Sequence, residues 1–565
     1  MPRTTPSADA AELSPSGPYR GLKQFGLIVL CGTWILLGLV GHDPWKTEDA
    51  TAFGIAWGML QSGDWLAPTL AGEPFVDRPP LAYAVAALFG RVFGGVLPIH
   101  DAARLAAGAF LALALVLLSA TARELYGRAL RWLPLLLFVG TVGLWDRAHQ
   151  LSPEMGLLGG IALALYGFAL ALRRSVAGGV ALGLGVALAF LTRGFLGPLW
   201  LALTAAALPA VAAAWRTRAH ATTCAVALAV AIAVSSTWPL ALFAVEPAHL
   251  AAWWAAQGAG DYFAPLATGA SGDPLYLIRN LPWFAWPALP LVLWTLWTRG
   301  RGFNGGIGTP GVVLPATLAA VIIACLLVMA EPRAIYAIPL MLPLCLLASI
   351  EVDTLPRGFS GALDWFGILT FGLLAALVWW VWFDAVAHGI SPAIARVFRD
   401  TEPGFRPPVQ WLAVGVSAFL SVLWLALVRP ARRTNRRAVL NWAAGMTLVW
   451  ALYMSLWLPY LDSRRSYRPV AEALAQQLKV ERLPAGNCVA SRNLGEAQRA
   501  LFHYFSGIVT VREEKSPDHA CPLVLVQYNR LDGEPIVRLG WEIAWEGRRR
   551  GDDTERFILF RRVTP

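Results

Sequence analysis

Long apolar runs separated by short polar connections dominate the chain from Phe25 onward. A helix that crosses a bilayer needs about 17–25 residues. Runs that meet or approach this length fall near 25–40, 102–121, 131–147, 152–171, 177–192, 195–214, 221–244, 282–298, 312–330, 334–350, 363–383, 410–428 and 438–458. The stretch Leu81–Leu97 is also apolar, but Arg91 and several glycines interrupt it, and it reads as a helix lying along the membrane interface. Residues 1–24 are a tail whose first twenty positions, rich in Pro, Ser and Ala, have no periodicity and read as disordered. The first apolar run ends at Gly-His-Asp-Pro with no small-residue cleavage site, so it is predicted to be an uncleaved span. From about 461 the pattern turns polar. Val470–Leu478 reads as a helix, and Cys488–Ser491, Ile508–Val511, Leu523–Tyr528 and Phe557–Phe560 read as strands. The prediction is an α-helical polytopic membrane protein of about thirteen transmembrane helices over 25–460, with a C-terminal soluble α/β domain over 461–565.

Composition strengthens this picture. Of 565 residues, 57% are hydrophobic and 15% charged, against about 25% charged in soluble chains. The net charge of +10 follows from arginines in the connections. With the N-terminus in the cytoplasm and the spans alternating, Arg123, Arg128, Arg131, Arg173, Arg174, Arg216, Arg218, Arg299, Arg301, Arg357, Arg429, Arg432, Arg433, Arg436 and Arg437 all fall on the cytoplasmic side. Counting Leu81–Leu97 as a span would spoil that order. No basic stripe with interleaved aromatics occurs, which argues against nucleic acid as a partner and leaves membrane lipids. Cys488 and Cys521 lie together in the polar tail and could pair if it faces an oxidising compartment.

The external side then receives the most charged loop of the chain, His42–Tyr83, within a first external loop of 42–100 that carries interfacial helices. It holds Asp43, Glu48, Asp49, Asp64, Glu73 and Asp77 against Lys46 and Arg78. Helical spacing from Glu48 to Leu60 lays Phe53, Trp57 and Leu60 along one face, which predicts an amphipathic helix on the membrane surface with carboxylates at its front. The same side receives Asp146, Arg147, His149 and Glu154 in D-R-A-H-Q-L-S-P-E-M, Arg193 in A-F-L-T-R-G-F-L-G-P, and Arg333 in A-E-P-R-A-I-Y with Tyr336 one turn on. The bland readings are a solvated turn for the first group, a packing or surface role for His149, and an interfacial anchor for Arg193. The alternative is that Arg78, Arg193 and Arg333 converge on a lipid phosphate, whose oxygens suit the planar guanidinium fork.

The loop W-K-T-E-D-A-T-A-F, followed by G-M-L-Q-S-G-D-W-L-A-P-T-L-A-G-E-P-F-V-D-R-P-P-L-A-Y, resembles the first external loop of the bacterial aminoarabinose transferases. These are polyprenyl-phosphate-dependent glycosyltransferases of the GT-C superfamily, related to protein O-mannosyltransferases. That family typically reads D-E-x-R-Y, then M-x-x-x-G-D-W-x-x-P, then E-K-P-P-L. L-S-P-E-M, T-R-G-F-L-G-P, S-T-W-P and E-P-R-A-I-Y-A-I-P extend the resemblance over roughly residues 25–460. It implies that Glu48 stands for the family's leading loop aspartate, with Asp49 beside it, and Glu154 for the second-loop aspartate. Asp77 and Arg78 match a Glu-Lys pair whose lysine engages the carrier phosphate, and Arg193 and Arg333 match two further lysines. Tyr83 closes the first motif. In this chain all three lysines are arginines and both aspartates are glutamates. Thr51 or Ala52 replaces an arginine. The loop near 245–281, which usually brings a basic pair, has Asp261, with His249 and Arg279 as the nearest substitutes. The donor sugar is therefore left open.

The activity implied is inverting transfer of a sugar from polyprenyl phosphate to lipid A or another envelope glycolipid at the outer face of the bacterial inner membrane. Arg78, Arg193, Arg333 and Tyr336 would bind the donor phosphate. Glu48, then Asp49, would act as base, with Glu154 in support. Asp77, Tyr83, His149 and Arg279 would sit around them. The resemblance fixes no cofactor, and a divalent cation bridging Glu48 and Glu154 would be compatible. A protein O-glycosyltransferase, a flippase for lipid-linked sugars and a cation-binding membrane sensor are the competing readings.

Overall fold

The computed structural model describes residues 20–259, 275–329, 333–392, 404–429, 434–481, 488–529, 539–550, 552 and 554–563. Most of the N-terminal tail, Asp261, Glu331, Arg432 and Arg433 lie outside the described residues. Among those described, seven helices are long and apolar enough to cross a membrane: Ile99–Tyr126, Pro153–Ala171, Ser175–Arg193, Arg218–Val245, Pro310–Leu327, Arg357–His388 and Asn435–Leu456. Shorter apolar helices, Gln24–Leu36, Leu81–Phe93, Leu196–Val211, Ala334–Ile350 and Trp411–Leu427, pack among them. The protein is thus a multi-pass membrane protein. The 13 residues of Leu81–Phe93 rise only about 20 Å, short of the roughly 30 Å hydrocarbon core.

The predicted run 131–147 does not form one helix. Its helix covers only Leu133–Val139, and short 3₁₀ turns follow at Val142–Leu144 and Arg147–His149. The Val142 amide donates instead to the Trp286 carbonyl in the distant turn between helices Tyr276–Phe284 and Ala288–Gly300, 3.0 Å away. Tertiary pairing here overrides an apolar run that had no local reason to stop.

The loops sort to two ends of the helical body. At one end Arg299 pairs with Glu351 at 2.6 Å, Arg436 with Asp353 at 2.5 Å, and the Tyr126 hydroxyl donates to the Gly311 carbonyl at 2.9 Å. At the other end lie the first loop, the turn at 146–154, Arg193, Arg333 and the soluble domain, joined by the contacts described below. Loops predicted to share a side therefore meet one another.

The soluble domain is built on a five-stranded sheet. Its strands are β1 Val489–Arg492, β2 Thr510–Arg512, β3 Leu523–Asn529, β4 Trp541–Arg548 and β5 Glu555–Arg562. The spatial order is β2-β1-β3-β5-β4, with β1 parallel to β2 and β3, and β5 antiparallel to β3 and β4. Alternation along β3 sends Leu523 and Leu525 to one face and Val524 and Val526 to the other. The first face packs with Leu474, Leu501 and Phe502 of helices Arg468–Val480 and Glu496–Ser506. The second gathers Ala490, Ile558, Phe560 and Cys521, and Cys488–Cys521 is a disulfide that bridges 33 residues. Strand β4 and helix Glu496–Ser506 were absent from the sequence expectation. β4 is a largely exposed edge strand, so it carries no apolar run.

The helix predicted from Glu48 to Leu60 is present as Glu48–Ser62, and its apolar face packs on protein. Most of its residues are buried, because it is sandwiched between the helical body and the soluble domain. Phe53 and Trp57 make edge contacts with Tyr504 of the soluble domain, at 4.7 and 5.2 Å between ring centres. Gly54 permits the approach: a Cβ there would lie 2.4 Å from the Ala500 Cβ. The apolar face that the pattern revealed is real, and its partner is protein.

Candidate active site

The first turn of helix Glu48–Ser62 carries two adjacent carboxylates that the helix geometry sends into different networks. Glu48 faces the arginines. Its Oε1 lies 3.3 Å from Arg333 and its Oε2 3.9 Å from Arg78. Close by, Arg193 donates through Nε to Glu154 at 3.0 Å, both side chains almost fully buried. Tyr336 lies under the Arg193 guanidinium, 5.3 Å from ring centre to charge. Tyr83 and Glu154 act electrostatically on Arg78, and Glu154 acts on Glu48, so these groups form one cluster.

Local structure explains the buried pair. Glu154 opens helix Pro153–Ala171 and Arg193 closes helix Ser175–Arg193, so each charge opposes the helix dipole at its own end. The two helices touch closely at this point because residue 156 is glycine: a Cβ there would meet Thr192 at 2.4 Å. Arg193 Nε satisfies one oxygen of Glu154. The other, Oε2, and the neighbouring Ser152 hydroxyl are buried beside it.

Electrostatics shape Glu48. Burial, and then repulsion from Glu154, raise its carboxyl above the ordinary glutamate range, against the pull of Arg78, Arg333 and Arg193. Burial opposes the charge of Arg78, yet Tyr83, Glu154 and Glu48 hold its pKa above normal, so it stays cationic. Arg333 is the accessible member, with its side chain 51% exposed. It also borders a narrow apolar crevice lined by Leu277, Leu281, Phe284 and Leu326.

Asp49 does not join this cluster. It is bound by Arg104, which donates to both of its carboxylate oxygens at 3.1 and 3.0 Å. Arg104 also donates to Asp101 at 2.9 Å and to the Leu39 carbonyl at 3.0 Å. Asp49 in turn accepts from the Leu151 amide at 3.0 Å and the Trp45 amide at 3.2 Å. Burial would raise its pKa, but Arg104 outweighs burial and holds the carboxyl below the usual range. Asp49 is thus a knot between the two loops, outside the Glu48 cluster. The sequence reading missed Arg104. Its signal was visible: a charged pair, Asp101 and Arg104, three residues apart in an apolar helix.

The other expected residues differ in their surroundings. Both ring nitrogens of His149 face carbonyl oxygens, of Trp145 at 3.0 Å and Trp34 at 2.7 Å, and its ring stacks on Trp450. It is a packing histidine. Asp77 is exposed beside Arg78, and Arg279 is exposed on helix Tyr276–Phe284. His249 pairs with Glu246, the residue just before its helix Pro247–Ala259. Among the described residues no group of three or more His, Cys, Asp or Glu side chains could hold a metal ion. A cation between Glu48 and Glu154 would have those two carboxylates alone, each already facing arginine.

The first loop is gripped from above by the soluble domain. Asp43 is bound by Arg468 and by the Ser466 hydroxyl at 2.6 Å. Lys46 pairs with Glu555 at 3.0 Å, and Glu73 with Arg499 at 3.1 Å and Lys515 at 2.9 Å.

No family model matches the chain. It is similar to an undecaprenyl phosphate-alpha-4-amino-4-deoxy-L-arabinose arabinosyl transferase of Pseudomonas fluorescens, with 26% identity over 449 residues, 72% of this chain and 75% of the relative. A second such transferase of that species is 26% identical over 86% of this chain and 77% of its own length. Among solved structures, ArnT from Cupriavidus metallidurans bound to undecaprenyl phosphate superposes with a TM-score of 0.69 over 96% of this chain and 98% of that one, at 17% identity. The chain therefore has the fold of that transferase.

Proposed function

We propose that this protein is an integral-membrane glycosyltransferase that moves a sugar from an undecaprenyl phosphate donor to an acceptor in the cell envelope, with lipid A the acceptor favoured. The observation that carries the reading is the shared carboxylate of Glu48, held between Arg333 and Arg78 beside the buried Glu154–Arg193 pair. Similarity to undecaprenyl phosphate-dependent arabinosyl transferases supports the substrate class. In this reading the active site and the soluble domain face the periplasm and the arginine-rich connections face the cytoplasm of a bacterial inner membrane, which the positive-inside rule supports. The disulfide suits that oxidising side.

In the reaction an acceptor oxygen attacks the anomeric carbon from the face opposite the phosphate. The bond from that carbon to the phosphate oxygen breaks, and undecaprenyl phosphate leaves with the electron pair. Direct displacement inverts the anomeric centre. Arg78 and Arg333 meet the oxygens on which charge develops, the source of most electrostatic rate enhancement. Without donor, Glu48 occupies these arginines. A bound phosphate competes for them and releases the carboxylate to orient the acceptor or take its proton. An acceptor that is already an ionised phosphate needs no such base. Arg193 acts from behind, through Glu154 and Tyr336.

The test is transfer of labelled sugar from its undecaprenyl phosphate carrier by membranes carrying Arg78→Ala or Glu48→Gln. Each loses about 100-fold or more in kcat/KM. Wild-type rates in both variants would overturn the assignment. Mass spectrometry of lipid A from a deletion strain identifies the acceptor: loss of a sugar adduct supports lipid A, and loss of glycans from periplasmic proteins instead supports protein O-glycosylation.

A further inference from the structure

The donor cluster leaves unused a cavity of about 410 Å³ where the first loop, the second loop and the soluble domain meet. Its size lies within the range of small-molecule sites, about 300–1,000 Å³. Trp45 and Trp450 supply ring surface, and Asp146 and Gln150 supply polar atoms, with Gln150 donating to Asp146 at 3.2 Å. Lys46, Arg465 and Arg549 also line it, whereas Arg78, Arg193 and Arg333 do not.

The charges are arranged unevenly. Glu555 and Asp552, which hold Lys46 at 3.0 Å and Arg549 at 2.6 Å, are not among the lining residues. Lys46 and Arg549 thus face the space with these counter-charges behind them, while Asp49 and Asp146 bring carboxylates to the lining. Arg465 is held loosely: it lies 3.9 Å from Asp146, with both side chains about two-fifths exposed (39% and 44%). Its guanidinium rests 4.7 Å from the Trp45 ring centre. The Arg549 Nε lies 4.0 Å from Glu555 without a hydrogen bond, while its other nitrogens donate to the Arg464 carbonyl at 3.1 Å and to Asp552 at 2.6 Å, so a ligand phosphate would compete with these partners. Guanidinium groups of this kind match phosphate oxygens. Ring carbons alternating with an amide and a carboxylate match the C–H faces and hydroxyls of a sugar. The lining includes Thr47 and Asp49, the residues on either side of Glu48.

We propose that this cavity seats the phosphorylated sugar headgroup of the acceptor, with Arg465 and Arg549 on its phosphate and Gln150 and Asp146 on its hydroxyls. The proposal rests on the glycosyl-transfer reading above and adds to it the side from which the acceptor arrives.

The full-length protein in nanodiscs is titrated with glucosamine 1-phosphate and, separately, with undecaprenyl phosphate. Arg465→Ala and Gln150→Ala are compared with wild type after their unfolding temperatures are matched. Expected are a tenfold or greater weakening of glucosamine 1-phosphate binding in Arg465→Ala, a smaller one in Gln150→Ala, and unchanged undecaprenyl phosphate binding in both. In transfer assays KM for the acceptor rises and KM for the donor does not. Absence of glucosamine 1-phosphate binding to wild type, equal binding to both variants, or weakened undecaprenyl phosphate binding would overturn the assignment. Transfer with an acceptor KM insensitive to Arg465→Ala sinks the cavity and leaves the glycosyltransferase. Arg465-dependent binding without any transfer sinks the glycosyltransferase and leaves a phosphosugar site.

Discussion

At the scale of single residues, neighbouring positions carry different work. Glu48 and Asp49 are adjacent in sequence, yet one faces two arginines beside the apolar crevice and the other is locked to Arg104. Their pKa values move in opposite directions for that reason. With a hydroxyl acceptor, the working form of Glu48 is its carboxylate. Because its pKa is raised, kcat/KM falls on acidification while the pH is still above the ordinary glutamate value of about 4.3. A pH–rate profile shows this acid limb in wild type and lacks it in Glu48→Gln. Replacing arginine with the lysine that the resembled family carries is a second residue-scale test. Arg78→Lys keeps the charge and loses the fork, so it retains measurable transfer but weakens donor binding by about tenfold, roughly one lost charge-assisted hydrogen bond of 1.5 kcal/mol. Titration with undecaprenyl phosphate measures it.

At the scale of elements, the site depends on how helix ends meet. Glu154 and Arg193 are useful only because two helices approach closely enough for Gly156 to contact Thr192. Gly156→Val pushes these ends apart and reduces transfer by an order of magnitude or more, with the unfolding temperature lowered, since overpacking costs about 1–3 kcal/mol. The knot at Arg104 joins the helix Glu48–Ser62, the start of Ile99–Tyr126 and the amide of Leu151, three residues before Glu154. Removing one partner of a buried pair costs about 3–5 kcal/mol. Asp49→Asn therefore lowers thermal stability and slows transfer while donor binding at Arg78 and Arg333 is kept. The depressed pKa of Asp49 fixes the sign of its pH dependence. Its contribution is present above the unfolded aspartate value of about 3.9 and is lost as pH falls through the lower folded value. Urea unfolding between pH 5 and 3 shows the loss in wild type and little of it in Asp49→Asn.

At the scale of the whole molecule, the soluble domain is a part of the site. It clamps the first loop through Asp43–Arg468, Lys46–Glu555 and the cations around Glu73. The Cys488–Cys521 bridge closes 33 residues of that domain, a loop whose constraint stabilises by about 3–4 kcal/mol in the chain-entropy picture. Reduction, or Cys488→Ser with Cys521→Ser, lowers the unfolding temperature of the domain. Because the clamp holds the loop, transfer falls at temperatures where the helical body remains folded, as circular dichroism would show. A flippase would need no such coupling between a soluble domain and a carboxylate at one membrane face.

The periodicity of apolar positions, read alone, determined the membrane class, the helix that begins at Glu48 and the polar C-terminal domain. Those features follow from hydrophobic transfer and local helix geometry, which act within one segment. The charge pattern singled out Glu48, Arg78, Glu154, Arg193 and Arg333, because charges beside apolar runs are costly unless they pair. Only the tertiary structure decided which of them pair, and that Asp49 and His149 belong to packing. It also decided that the run at 131–147 breaks and that the Phe53–Trp57 face meets Tyr504 instead of lipid. An apolar face has the same sequence signature whichever apolar surface covers it, and a carboxylate acquires its role from partners tens or hundreds of residues away.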